Sequence, residues 1–130
     1  MLFVGTQALA DELGKEGLGI MVSQVIPFPF STTMPISRAY QEAVRKAGGD
    51  AVPNYSSMEG YLAAKVFAEG RKRAGRNPTR RSLVTGLEAI QNASFGGFGV
   101  NFGPKAHVAS RFVDLSMLTE DGKVRRYAAR

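Results

Sequence analysis

Gly19-Ile20-Met21-Val22-Ser23-Gln24-Val25-Ile26-Pro27 is the stretch whose reading decides the fold. From Ile20 to Ile26 the run is nearly continuous in its apolar character. Such a run suits a strand covered on both faces, as in a parallel sheet with helices on each side. Pro27 lacks a backbone donor and ends the strand. Upstream, Gly17 and Gly19 close a short helix from about Ala8 to Glu16. Before that helix, Leu2-Phe3-Val4 reads as a buried strand ending at Gly5. Strand, helix and strand in this order predict an α/β fold. Thr6 and Gln7 then stand at the carboxyl end of the first strand. In open α/β sheets, that end faces the ligand crevice.

Downstream, Pro27-Phe28-Pro29-Phe30-Ser31-Thr32-Thr33-Met34-Pro35 reads as an extended crossover or hinge, because proline biases its neighbours to extended geometry. A helix is predicted from Ile36 to Ala47. Ile36, Tyr40, Ala43, Val44 and Ala47 share one face, and Gly48-Gly49 caps the end. Asp50 to Tyr55 is a short connection or strand. Ser56 or Ser57 then caps a helix, with Glu59 at capping-box spacing from Ser56. This helix is apolar almost all round from Met58 to Ala68, so it is expected to be the most buried. It turns basic at Arg71-Lys72-Arg73 and stops before Pro78. Thr79 caps a further helix to about Gln91, with Leu83, Val84, Leu87 and Ile90 facing the core. Residues 94–104 read as strand with tight turns. Arg111 to Leu118 is a strand, Glu120-Asp121-Gly122 a hairpin turn, and Lys123 to Tyr127 the returning strand.

The chain has 130 residues and a net charge of +6. That charge is uneven: residues 1–65 sum to −1 and residues 66–130 to +7. With no cysteine and a single histidine, a disulfide framework, a thiolate metal site and a cysteine nucleophile are excluded. No apolar run reaches the roughly 18 residues of a transmembrane helix. Met1-Leu2-Phe3-Val4-Gly5 has neither the basic segment nor the cleavage site of a secretory leader.

Few residues offer chemistry. His107, in Lys105-Ala106-His107, has no second histidine or thiolate with which to share a metal and reads as a loop histidine. Ser23, Ser56 and Ser110 lack the context of a nucleophile elbow. Gly96, Gly97, Gly99 and Gly103 are followed by strand residues rather than a helix, so they do not form a dinucleotide loop. No catalytic residue, metal site or cofactor is expected, and the chain does not read as an enzyme. The cations at Arg71, Lys72, Arg73, Arg76, Arg80 and Arg81 suggest an alternative: a small basic interaction domain that binds nucleic acid or an anionic surface through residues 71–81. A helix dipole also favours cations at this end, and no aromatic residue interleaves with them to stack bases. The main reading therefore has no nucleic-acid partner. Thr6, Gln7 and Tyr55, which precedes a helix, are the candidate ligand-binding residues.

Six stretches in order resemble the C-terminal part of the type I periplasmic binding proteins. These are the leucine/isoleucine/valine-binding type of substrate-binding protein for ABC transporters. The stretches are Phe3-Val4-Gly5-Thr6, Gly19 to Pro27, Ile36-Ser37-Arg38-Ala39-Tyr40-Gln41, Ser57 to Ala64, Leu83 to Ile90, and Gly97 to Phe102 continuing through Phe112-Val113-Asp114-Leu115. The resemblance implies part of a two-lobe α/β fold that closes on a small solute and is incomplete in this chain. Residues 1–27 would belong to the second lobe, residues 28–106 to the first after the proline-rich hinge, and residues 107–130 to strands returning to the second. It also implies a periplasmic location and, as partners, a small solute and the transporter's membrane subunits. Thr6 and Gln7 would meet the ligand from the second lobe and Tyr55 would wall the cleft. Where the family often has an acidic residue for an α-ammonium, this sequence has Gln7, so a carboxylate or aromatic acid fits at least as well as an amino acid. Apolar strands without neighbours in the chain predict a homo-oligomer.

Overall fold

The computed structural model describes residues 5–127. The predicted strand Leu2-Phe3-Val4 lies outside the described residues. Helix α1 spans Thr6–Leu13 and runs into a 3-10 turn at Gly14–Gly17. Strand β1 is Met21–Gln24, α2 is Pro35–Ala47, α3 is Tyr55–Arg73 and α4 is Arg80–Glu88. A hairpin of β2 (Ala93–Phe95) and β3 (Phe98–Val100) follows. The chain then returns as β4 (Asp114–Leu118) and β5 (Val124–Arg126).

β1, β4 and β5 form one antiparallel sheet in that order, with Val22 opposite Ser116 and Leu118 opposite Val124. The sequence reading did not foresee this antiparallel neighbour on one edge of β1, and among the described residues one face of the strand is left uncovered. The pleat sends alternate side chains to opposite faces. Gln24 and Ile26 are buried, while Met21, Ser23 and Val25 are exposed on the other side. β4 behaves alike: its buried residues are Ser116 and Leu118, whereas the apolar Val113 and Leu115 are exposed.

Between the two halves of this sheet, the middle of the chain builds a helical layer with the β2–β3 hairpin. Pro35 opens α2 at a position where its missing N–H costs nothing, and Ile36 and Tyr40 turn inward. Before it, Pro27 and Pro29 are fully buried in the extended segment. Gln41 holds that segment, donating from Nε2 to Pro29 O at 2.8 Å and to Ser31 O at 3.1 Å.

α3 departs from expectation twice. Its cap is Asn54, whose side chain accepts from the Ser57 N–H at 2.9 Å, rather than Ser56 or Ser57. Nor is α3 buried all round: Tyr55, Met58, Leu62 and Gly70 are buried, but Phe67 is 54% exposed. Its one covered flank packs on α2 and α4. α4 is capped at Thr79 as predicted, with Thr79 and Ser82 bonded reciprocally. Ile90 reaches the core, whereas Val84 is exposed. The α3–α4 crossing needs Gly86: a Cβ there would lie 2.4 Å from Gly70 O. The hairpin turn needs Gly96, which has φ +59° and sits against the backbone of Ile36. The Ile36 N–H donates to its carbonyl at 3.0 Å, fastening the hairpin to the start of α2.

The core is continuous. Ala10, Ile26, Ile36, Tyr40, Tyr55, Met58, Leu62, Ile90, Phe98, Val100, Leu118 and Val124 form one cluster that joins the sheet to the helical layer.

Candidate functional site

The N-termini of α1 and α3 face each other. A Cβ built at Gly5 would stand 3.4 Å from Ser56 Oγ. Between them opens a cleft of about 340 Å³, lined on one side by Thr6, Gln7 and Ala8 and on the other by Phe30 and residues 52–56. Thr6 and Gln7 at a strand end and Tyr55 before a later helix, two separate points of the sequence, therefore line one cleft. A larger hollow of about 560 Å³ lies beside Gln91, Asn101 and Phe102, remote from all three.

The three side chains are held differently. Thr6 is buried, and its Oγ1 accepts a hydrogen bond from Gln24 Nε2 at 2.8 Å. Gln7 is exposed; its Nε2 donates to Asp11 Oδ1 at 2.8 Å and to Gly122 O at 3.4 Å. Tyr55 is buried and packs on Phe28 with ring centroids 6.2 Å apart. Burial pushes its phenol up to about 12, with the Asp114 carboxylate adding to the rise; the Ser116 hydroxyl and the Arg126 charge oppose it. Asp114 itself accepts from Arg126 Nε at 2.6 Å.

The wall at 52–55 is fixed from behind by Tyr40. The Asn54 N–H donates to Tyr40 Oη at 2.9 Å, and that hydroxyl also bonds Ser57 Oγ. Sequence reasoning placed Tyr40 in the core and missed this role. It also missed Gln24 and Ser116, which bond to each other at 2.8 Å beneath the cleft. A signal existed for Gln24, a polar residue inside a strand read as nearly continuously apolar; the alternation of residues 111–118 offered none for Ser116.

Other sequence features sit apart from the cleft. His107 lies in a loop, as predicted, and its Nε2 is 2.9 Å from Glu88 Oε1. Arg73 bonds Glu69 at 2.9 Å and the Ala89 carbonyl at 2.7 Å, and Arg71 bonds the Gly75 carbonyl at 2.9 Å. These two cations of the basic run thus tie off helix ends. Among the described residues no group of His, Asp and Glu side chains is placed to hold a metal. None of the described helices is long and apolar enough to cross a membrane.

A family model described as periplasmic binding protein matches residues 1–123. The chain belongs to the periplasmic binding protein family. Solved members of similar fold include a possible leucine/isoleucine/valine-binding protein from Rhodopirellula baltica SH 1. It is 28% identical, with a TM-score of 0.90 over 97% of this chain and 34% of that one. A substrate-binding periplasmic protein from Ralstonia solanacearum is 27% identical, with a TM-score of 0.83, covering 95% of this chain and 36% of that one. An extracellular ligand-binding receptor from Verminephrobacter eiseniae ef01-2 is 25% identical, with a TM-score of 0.80, covering 95% of this chain and 35% of that one. No curated protein sequence matches the chain.

The chain thus spans about a third of the length of the structures it matches. It carries part of the type I periplasmic binding protein fold, a mixed α/β architecture that is incomplete in these 130 residues.

Proposed function

We propose that the chain is part of the solute-binding component of an ABC-type uptake transporter. Its solute would be an amino acid or a related small organic acid. The observation that carries this reading is the convergence of Thr6, Gln7 and Tyr55 on one cleft within a periplasmic binding protein fold. In this reading residues 1–27 and 107–130 belong to one lobe and residues 28–106 to the other. The pairing of β1 with β4 supports the first grouping, and the buried prolines at 27 and 29 suit a hinge crossing. A periplasmic location and docking on the transporter's membrane subunits follow from the same reading, as does the absence of catalysis.

The cleft chemistry favours a carboxylate. Both flanking helices point their N-terminal ends at it, and such ends attract negative charge. Gln7 is an uncharged amide and supplies no ion pair for an ammonium group. Because the chain spans about a third of its solved relatives, it holds few of the groups that close on a solute. Affinity for a free solute is expected to be no better than millimolar. Titration of the labelled chain with leucine and with isovalerate, followed by NMR, tests this. Weak shifts confined to residues 5–8 and 52–56, larger for isovalerate, are expected; shifts elsewhere or none would overturn the reading. Micromolar affinity for leucine would overturn the preference for an acid.

The exposed apolar side chains on one face of the β1–β4 pair support a second proposal, self-association. Light scattering is expected to give a dimer or larger species, and a monomer at high concentration would refute it.

A further inference from the structure

Gln24 lies beneath the cleft and is only 7% exposed. Its Nε2 donates to Thr6 Oγ1 at 2.8 Å and to Ser116 Oγ at 2.8 Å. Thr6 is the first residue of α1 and belongs to one wall of the cleft. Ser116 is on β4 and is fully buried. Ser116 Oγ also donates to Val22 O at 3.3 Å. With its proton on that carbonyl, Ser116 accepts from Gln24, so the amide nitrogen rather than the oxygen faces the two hydroxyls. One side chain thereby bonds three elements: α1, β1 and β4.

The helix that gains most is α1. It has eight residues and no side-chain cap at Gly5. Helices of this length do not hold their shape in water without tertiary support. Ala10 and the partly buried Leu9 pack α1 on the core, but apolar contact is not directional and defines rotation about the helix axis less sharply than a hydrogen bond does. The bond from Gln24 to Thr6 fixes that rotation at the end nearest the cleft. An unmade bond would also be costly, because Thr6, Gln24 and Ser116 are all withdrawn from water.

We propose that Gln24 is the positioning residue of the cleft. Its buried amide, anchored on Ser116 of β4, fixes Thr6 on the α1 wall. The importance of the cleft rests on the solute-binding reading, but the positioning is measured with no solute present.

Hydrogen exchange of the whole chain tests it. Gln24→Leu keeps the side chain at similar size and removes both donors. The amides of Leu9 to Leu13 are expected to exchange about tenfold faster, while those of α4 and the β2–β3 hairpin keep their rates. Thr6→Val is expected to give the same local acceleration, and the double variant no more than either single one. Equal acceleration throughout the chain, no acceleration, or additive effects would each overturn the proposal. If Gln24→Leu does not fold, the unaltered chain still decides. Slowly exchanging Gln24 side-chain amide protons with NOE contacts to Thr6 and Ser116 are expected, and fast exchange without those contacts overturns the proposal. A failed solute titration beside the expected exchange pattern would refute the solute reading alone.

Discussion

Tyr55 concentrates the residue-scale physics of the site. Its ring packs on Phe28, while the Asp114 and Arg126 charges act on its buried hydroxyl. Ionising the phenol places a negative charge in a buried position near a carboxylate, which raises its pKa from 10.0 to about 12. The sign of the linkage follows. A raised folded pKa stabilises fully below the unfolded value, and that share is lost as pH climbs through the folded one. Stability should therefore fall between about pH 10 and pH 12, and Tyr55→Phe should flatten that fall; denaturant titrations across the range measure it. Gly86 makes a second residue-scale prediction. Gly86→Ala places a methyl group 2.4 Å from Gly70 O, and overpacking of this kind costs about 1–3 kcal/mol. A lowered thermal midpoint is expected, and an unchanged one would contradict the close crossing of α3 and α4.

Elements differ in how far local sequence decides them. α4 was legible because Thr79 caps it with its own side chain and Ser82 reciprocates. Removing that cap with Thr79→Ala should cost about 1 kcal/mol, read from chemical denaturation. The β4–β5 hairpin was legible for a similar reason: Gly122 takes a positive φ of 69° in the turn, and Thr119 and Lys123 close it with a 2.9 Å backbone bond. α3 was misread where the decision lies outside the helix. Its apolar residues go all round, yet only the flank near α2 and α4 finds a partner in this chain, so Phe67 stays exposed. β1 was read as a strand, but its neighbour was not foreseen. Its apolar run fixed it as a strand, but its partner and direction come from β4, ninety or so residues away in the chain. The site shows the same division. Strand-end and helix-start positions pointed to Thr6, Gln7 and Tyr55. Gln24 and Ser116 stayed hidden because their meaning depends on a hydrogen bond between residues 92 positions apart.

At the scale of the whole molecule, a chain that spans about a third of its solved relatives still superimposes on one of them with a TM-score of 0.90. The continuous core explains how: Ile26, Leu118 and Val124 of the sheet join Ile36, Met58 and Ile90 of the helical layer in one cluster. The outer face of β1 and β4 explains what is missing. Met21, Val25, Val113 and Leu115 are apolar and exposed, as expected where a fold is incomplete. Leu115→Lys on that face should reduce any self-association seen by light scattering without lowering the thermal midpoint; a large loss of stability would place Leu115 in the monomer's own core. The central claim concerns the cleft between α1 and α3, and residue-resolved NMR titration of the chain with isovalerate addresses it most directly. The account predicts weak, saturable shifts at Gly5 to Ala8 and Val52 to Ser56. Shifts centred on the hollow beside Asn101 and Phe102, or no shifts at all, would contradict it.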